Sequence, residues 1–258
     1  MSNGCRGALL APVARRRFSR SSIAMRARHV LFATAFALGA ARVQAEAPPT
    51  PSDRATSTHD FADVDRWRKV FDDPKRDVWQ KPDALVAALH LTPGATVADL
   101  GAGTGYLSAR LSAAVGADGS VLAVETEPTL VAHLRQRAEQ ERTANVVPVL
   151  TSADNPRLPR AGVDLILIVD TYHHLDNRRA YLPRLTRALR PGGRIAIVDW
   201  KAGKLPEGPP PDHKLPRQQV IDEMQGAGFA LAAEPDILPL HYFLIFTTGA
   251  PRPGDAQR

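Results

Sequence analysis

Cysteine is nearly absent from this chain: the one thiol among 258 residues is Cys5. It precedes a stretch patterned like a removable leader. The mature chain is therefore expected to hold no disulfide, no thiolate nucleophile and no lipid-bearing cysteine. An iron–sulfur cluster held by cysteines is excluded with them. Acids are missing from the first 45 residues, which contain eight Arg and neither Asp nor Glu. The formal charge of +6 belongs to that segment, and the remainder carries 25 basic against 27 acidic residues. The body thus gives no electrostatic footing for nucleic acid. Internal repeats are missing as well. The apolar run from Val30 to Leu38 falls well short of the roughly 20 residues that a spanning helix needs.

What stands at the N-terminus instead has three parts. Met25-Arg-Ala-Arg28 is basic, Val30 to Leu38 is apolar, and Val43-Gln-Ala45 is a small-residue cleavage site. That is the order of a secretory signal, with cleavage expected after Ala45 and a periplasmic or secreted product without a membrane anchor. Arg15-Arg-Arg-Phe18 hints at a twin-arginine signal but lies far ahead of the apolar core. Initiation at Met25 accounts for that distance, and a disordered basic tail is the bland reading of the whole of residues 1–45. Residues 46–58 read as a disordered Pro/Thr/Ser linker, 59–248 as one folded domain, and 249–258 as a disordered tail.

The folded part is organised around Val97-Ala-Asp-Leu-Gly-Ala-Gly-Thr-Gly105. An apolar run, a tight turn and the helical spacing from Tyr106 to Leu111 make a strand, a glycine turn and a helix. Gly101, Gly103 and Gly105 permit positive φ and let a ligand lie against bare backbone beside a helix N-terminus. A dinucleotide site competes for such a turn. However, the glycines alternate, and Asp99 sits two residues before the first of them. A carboxylate there repels a pyrophosphate and suits a ligand with an ammonium group. Ser120 to Val124 is a second strand, closed by Glu125. An acid about 20 residues past a glycine turn is placed for the ribose hydroxyls of an adenosine.

Further pieces follow in order: Ser152-Ala-Asp154, Asp164 to Asp170 with Tyr172-His-His174, and Leu189-Arg-Pro-Gly-Gly-Arg194. With Asp99 to Gly105 and Val124-Glu125, these resemble the class I S-adenosylmethionine-dependent methyltransferases over roughly residues 77–247. The resemblance implies an α/β fold with a doubly wound, mostly parallel seven-stranded sheet and helices on both faces. It implies S-adenosylmethionine as cofactor, with Asp99 and the glycine loop at the methionine part, Glu125 at the ribose and Asp154 at the adenine amino group. Asp170 is expected near the methionine end. In relatives of this kind the segment before the first strand covers the cofactor, which makes Trp79 and Gln80 candidates here.

The elements read accordingly. Asp63 to Phe71 is a short helix with Val64, Trp67, Val70 and Phe71 on one side, and Pro82 and Pro128 open helices. Val146 to Leu150 is a strand, and Val163 to Val169 an almost unbroken apolar strand buried on both faces. A helix over 177–190 is followed by a turn at Pro191-Gly-Gly193 and the strand Ile195 to Val198. Lys201 to Pro216 is a loop, Gln218 to Ala227 a helix, and Phe229–Ala233 with Tyr242–Thr247 a closing strand pair. Asp99, Glu125, Asp154, Asp170 and Asp199 all fall at strand carboxyl ends, where such folds bind ligands.

For chemistry, His173 and His174 are the candidate general bases, since an imidazole ionises near neutrality. Tyr172, His213, His241 and Tyr242 are weaker pocket candidates. The Asn/Asp-Pro-Pro-Tyr/Phe loop of base-amino methyltransferases is replaced by Asp170-Thr-Tyr-His173, and thiolate-dependent methylations lack their cysteine. No metal is expected, because Asp170 and Asp199 alone make a poor ligand set. The reading is a small-molecule methyltransferase, O- or N-directed. Its rivals are an exported S-adenosylmethionine- or nucleoside-binding protein without turnover and an NAD-dependent reductase, the latter opposed by Asp99. If the leader is cleaved as its pattern indicates, N-terminal sequencing of the native protein starts at Glu46. A product that retains residues 25–45 contradicts it.

Overall fold

A computed structural model of the chain describes residues 54–57 and 59–248. The expected leader, the linker before residue 54 and the tail from Gly249 lie outside the described residues. Seven strands form one sheet: β1 (Thr96–Leu100), β2 (Ser120–Glu125), β3 (Val146–Leu150), β4 (Val163–Val169), β5 (Leu189–Trp200), β6 (Phe229–Ala233) and β7 (His241–Thr248). Their order is β3-β2-β1-β4-β5-β7-β6. The first five strands run parallel, while β7 lies antiparallel to both β5 and β6. The expected doubly wound, mostly parallel sheet is what forms.

Helices precede and connect the strands: α1 (Val64–Phe71), α2 (Asp77–Gln80), α3 (Pro82–Ala88), α4 (Ser108–Val115), α5 (Pro128–Glu141), α6 (Arg178–Ala188) and α7 (Arg217–Gly226). The alternation within β4 shows why both faces must be covered. Leu165 and Leu167 join a core with Leu85 of α3, Leu89 just past its end, and Leu111 of α4. Ile166 and Ile168 point the other way, into a core with Leu182 and Leu185 of α6 and Val220 of α7. Successive side chains of a strand alternate faces, so a strand whose seven residues are all apolar except Asp164 fits a place with helices on both sides.

Two local readings are corrected. Val70 is 52% exposed, whereas Trp67 is buried and Val64 and Phe71 are half-buried. The helix read over 177–190 stops at Ala188, and Leu189 already pairs with Val163 as β5. The register then jumps to Leu165 opposite Arg194, so Arg190 to Gly193 bulge out within the strand rather than lead into it. Gly192, at φ +79°, makes that excursion possible.

Ile166 is fully buried on the central strand beside the site. Ile166→Ala should lower unfolding stability by about 2–5 kcal/mol, the range for a large-to-small change in a core that cannot collapse. Urea denaturation checks this, and a loss below about 1 kcal/mol would show that the two cores repack freely.

Candidate active site

The parallel strands end together, and their last residues build the site. After β1 the chain turns through Gly101, Gly103 and Gly105 at φ +78°, +56° and +87°. The turn is pinned to β2, since Gly101 and Ala102 both donate their N–H to the Val124 carbonyl at 2.9 and 3.1 Å. Glu125 completes the attachment: its Oε2 accepts from Gly103 N at 3.0 Å and its Oε1 from Thr126 N at 2.6 Å. Asp99 lies beneath this loop, only 3% exposed. Burial, reinforced by the nearby charge of Glu125, pushes its carboxyl up to about 7. Two acids closed in together are a standing demand for a cation.

The N-terminal segment crosses this end of the sheet as a strap. Arg54 to Ser57, read from composition as the end of a disordered linker, are fixed in place. Thr56 donates its N–H to the His173 carbonyl at 2.9 Å, and Arg178 Nη1 donates to the Arg54 carbonyl at 2.7 Å. Composition reported the lack of an apolar pattern, and backbone pairing supplied the order instead. Further along, Thr129 Oγ1 of α5 donates to the Ala62 carbonyl at 3.1 Å. Asp72 accepts from Thr104 Oγ1 at 2.8 Å and pairs with Arg137 at 3.0 Å, and Phe71 packs against Gly103. The strap is thus stitched to the loop after β4, to α5 and α6, and to the glycine loop.

Arg76 is the strap's link to the reactive end, and nothing in the sequence set it apart from other arginines. Its Nη2 donates to Asp170 Oδ2 at 2.9 Å, and its guanidinium lies 4.5 Å from the Tyr106 ring centre. Asp170 follows β4 at φ +50°, a strained backbone for a non-glycine residue. Burial works to raise its pKa, but the opposing charges of His241 and Arg76 outweigh that and hold it below the ordinary value. His241 Nε2 stands 2.9 Å from Asp170 Oδ1, out of line for a hydrogen bond. Trp79 stacks on His241 and packs against Trp200 at the ends of β7 and β5. Gln80 is fully buried with its Oε1 facing Arg76. Arg76 Nε and Gln80 Nε2 are buried donors without a hydrogen-bond partner. A buried unpaired donor is costly, and a ligand carboxylate would satisfy both.

The two candidate bases part company. His173 is buried, and its Nδ1 meets Asp199 Oδ1 and Oδ2 at 2.8 and 3.0 Å. His174 turns to the strap, with Nδ1 at 3.0 Å from the Ser57 carbonyl and 3.1 Å from Ser57 Oγ. Burial and the proximity of His173 lower its pKa to about 4. Asp154 stands exposed on the loop after β3, accepting from Ser152 Oγ at 2.7 Å. Tyr172 and Tyr242, the tyrosines among the weaker pocket candidates, stand deeper. Both are buried in the core, where Tyr172 bonds Glu223 and Tyr242 bonds the Leu215 carbonyl. His213 lies beside the strap residue His59, 6.1 Å between ring centres. No group of three or more His, Cys, Asp or Glu among the described residues is arranged to hold a metal ion.

Gly101 tests the loop geometry. A Cβ there would meet Thr171 Oγ1 at 2.3 Å and Cγ2 at 2.4 Å. Gly101→Ala should cost about 1–2 kcal/mol for the left-handed backbone and a further 1–3 kcal/mol for the clash. Denaturant titration should show Gly101→Ala/Thr171→Gly recovering the clash but not the backbone cost. Equal stability of wild type and the single variant would refute the described turn.

Residues 97–193 match the family model of a methyltransferase domain. An uncharacterised methyltransferase of Mycobacterium tuberculosis is 39% identical over 102 residues, which are 40% of this chain and 38% of that protein. A demethylmenaquinone methyltransferase of Tropheryma whipplei is 33% identical over 122 residues, 47% of this chain and 48% of the other. The chain therefore spans between about two-fifths and a half of the length of these curated relatives. The crystal structure of an S-adenosylmethionine-dependent methyltransferase from Aquifex aeolicus superposes with a TM-score of 0.69 at 25% identity, covering 74% of this chain and all of that one. Sheet order, glycine loop and paired acids thus agree with the match of residues 97–193 to a methyltransferase domain and with the fold of the S-adenosylmethionine-dependent methyltransferase from Aquifex aeolicus.

Proposed function

We propose that this protein methylates a small molecule, with S-adenosylmethionine as donor, outside the cytoplasm. The observation that carries the reading is the buried pair Asp99 and Glu125 on either side of the glycine loop. Two enclosed carboxylates favour an ammonium-bearing, ribose-bearing ligand over a pyrophosphate. The donor set fits the cofactor at both ends of its amino acid. Asp99 would take the ammonium, Arg76 Nε and Gln80 Nε2 the carboxylate, and Glu125 the ribose hydroxyls. Asp154 remains available to the adenine amino group. When bound, the cofactor supplies a methyl group on a positively charged sulfur, the electrophile of an in-line displacement.

The protein's part is position and exclusion of water. Asp170, held between Arg76 and His241, borders the donor end, and the strap covers it with Phe71, Trp79 and Gln80. The leader pattern around Met25 to Ala45 supports export. Among the described residues no helix is long and apolar enough to cross a membrane.

Glu125→Ala removes charge-assisted hydrogen bonds of roughly 1.5–3 kcal/mol. It should weaken S-adenosylhomocysteine binding about tenfold or more, at about 1.4 kcal/mol per decade. Calorimetry measures this directly. Unchanged affinity, or tighter binding of NAD than of S-adenosylhomocysteine by the wild type, would remove the cofactor assignment.

A further inference from the structure

We infer that His173 and Asp199 form a base dyad in which His173 Nε2 takes the proton of a hydroxyl-bearing acceptor and Asp199 positions the imidazole. This rests on the methyl-transfer reading above and adds to it a proton acceptor, a positioning residue and an acceptor class.

The geometry is specific. Asp199 is fully buried at the end of β5 and is gripped by two backbone donors, His173 N at 3.2 Å and Trp200 N at 2.8 Å. With the carboxylate so fixed, both its oxygens face His173 Nδ1. A carboxylate only accepts, so Nδ1 carries the proton and the lone pair of the neutral ring lies on Nε2. Nε2 has no hydrogen-bond partner among the described residues. The backbone of His173 is held separately, by Thr56 N and Thr56 Oγ1 on its carbonyl. Side chain and main chain are each fixed at a loop that leaves β4 at the reactive end.

The charged surroundings favour a base. Burial alone would lower the pKa of His173, but Asp199, with help from Asp170 at the end of β4, raises it above the ordinary imidazole value. Arg178 at the start of α6 opposes this, and His174, the strap's His59 and Tyr242, opposite Asp199 on β7, are further ionisable neighbours. A more basic imidazole is a stronger proton acceptor once deprotonated. His174 is the poorer base, because its Nδ1 is held at Ser57 and burial with the nearby His173 lowers its pKa to about 4, so that it holds a captured proton weakly.

Such a dyad has a use with a hydroxyl that it lacks with a neutral amine, which brings its own lone pair. The acceptor oxygen forms a bond to the methyl carbon as the carbon–sulfur bond breaks. That electron pair stays on sulfur, giving a neutral thioether. The hydroxyl proton passes to Nε2, and Asp199 stabilises the imidazolium formed.

The test begins with nitrogen-15 NMR of the ligand-free full chain. His173 should titrate above the ordinary imidazole value with the proton on Nδ1, and Asp199→Asn should bring the pKa below it. Binding of S-adenosylhomocysteine by Asp199→Asn, measured by calorimetry, shows that the variant is folded. A cell extract incubated with the protein and carbon-13-methyl S-adenosylmethionine should yield an O-methyl product. Single-turnover rates with the isolated acceptor should fall about a hundredfold or more in His173→Gln and Asp199→Asn. The double variant should be no slower than His173→Gln. The wild-type rate should rise with pH through the raised pKa, and that limb should move to lower pH in Asp199→Asn. An unshifted His173 in both proteins, an N-methyl product, or a rate independent of pH in wild type overturns the dyad while leaving methyl transfer standing. Tight S-adenosylhomocysteine binding without any labelled product overturns the methyl-transfer reading itself.

Discussion

Everything at the working end of this protein depends on two carboxylates that the sheet forces together. β1 and β2 are parallel neighbours in register, with Leu100 opposite Val124, so Asp99 and Glu125 reach the same edge. Glu125 is stabilised there by backbone N–H groups of the glycine loop and of its own turn. Asp99 must bear both burial and its neighbour's charge, and its carboxyl holds a proton to near neutral pH as a result. The glycine loop is shaped by the same constraint. Only residues without a Cβ allow the turn to pass Thr171 and Leu134 and still present Gly103 N to Glu125.

The strap and the loop after β4 are coupled to that centre through ion pairs and hydrogen bonds rather than through an apolar core. Asp72 ties the strap to the glycine loop, Arg76 ties it to Asp170, and Thr56 ties it to His173. Each of these contacts crosses about 30 residues or more of sequence, so the strap reports on several strand ends at once. Polar links of this kind contribute modestly one by one, about 1 kcal/mol each, with more from pairs to charged groups. A segment held by several such links can be ordered and still open at lower cost than a packed helix.

The fold was legible because strand and helix periods are written into local apolar pattern. The seven residues of β4 and the glycine turn needed no tertiary information. The positions of Asp99 and Glu125 at that turn were legible too, because both are set by their spacing from it. Other features depend on contacts far apart in the chain, where periodicity is silent. Arg76 is one arginine among many until the fold sets it beside Asp170, 94 residues away. Asp199 looked like one more acid at a strand end, and only the buried contact with His173 gives it a partner. Thr56 and Ser57 lie in a stretch without apolar pattern and are ordered by backbone and hydroxyl bonds that composition does not encode. The bulge in β5 was missed because pairing across the sheet, not helix propensity, claims Leu189.

The central claim is that Asp99 waits, partly protonated, for a cationic group. Calorimetry of S-adenosylhomocysteine binding near pH 6, repeated in buffers of different ionisation enthalpy, tests it most directly. The free protein holds the proton on Asp99 up to about pH 7, whereas the bound ammonium favours the ionised form. Binding near pH 6 should therefore release a proton. Affinity should rise by up to about tenfold per pH unit, one pKa unit being about 1.4 kcal/mol, and level off above neutrality. Asp99→Asn should bind weakly and lose this dependence. Binding that releases no proton and keeps the same affinity from pH 5.5 to 8 would contradict the account.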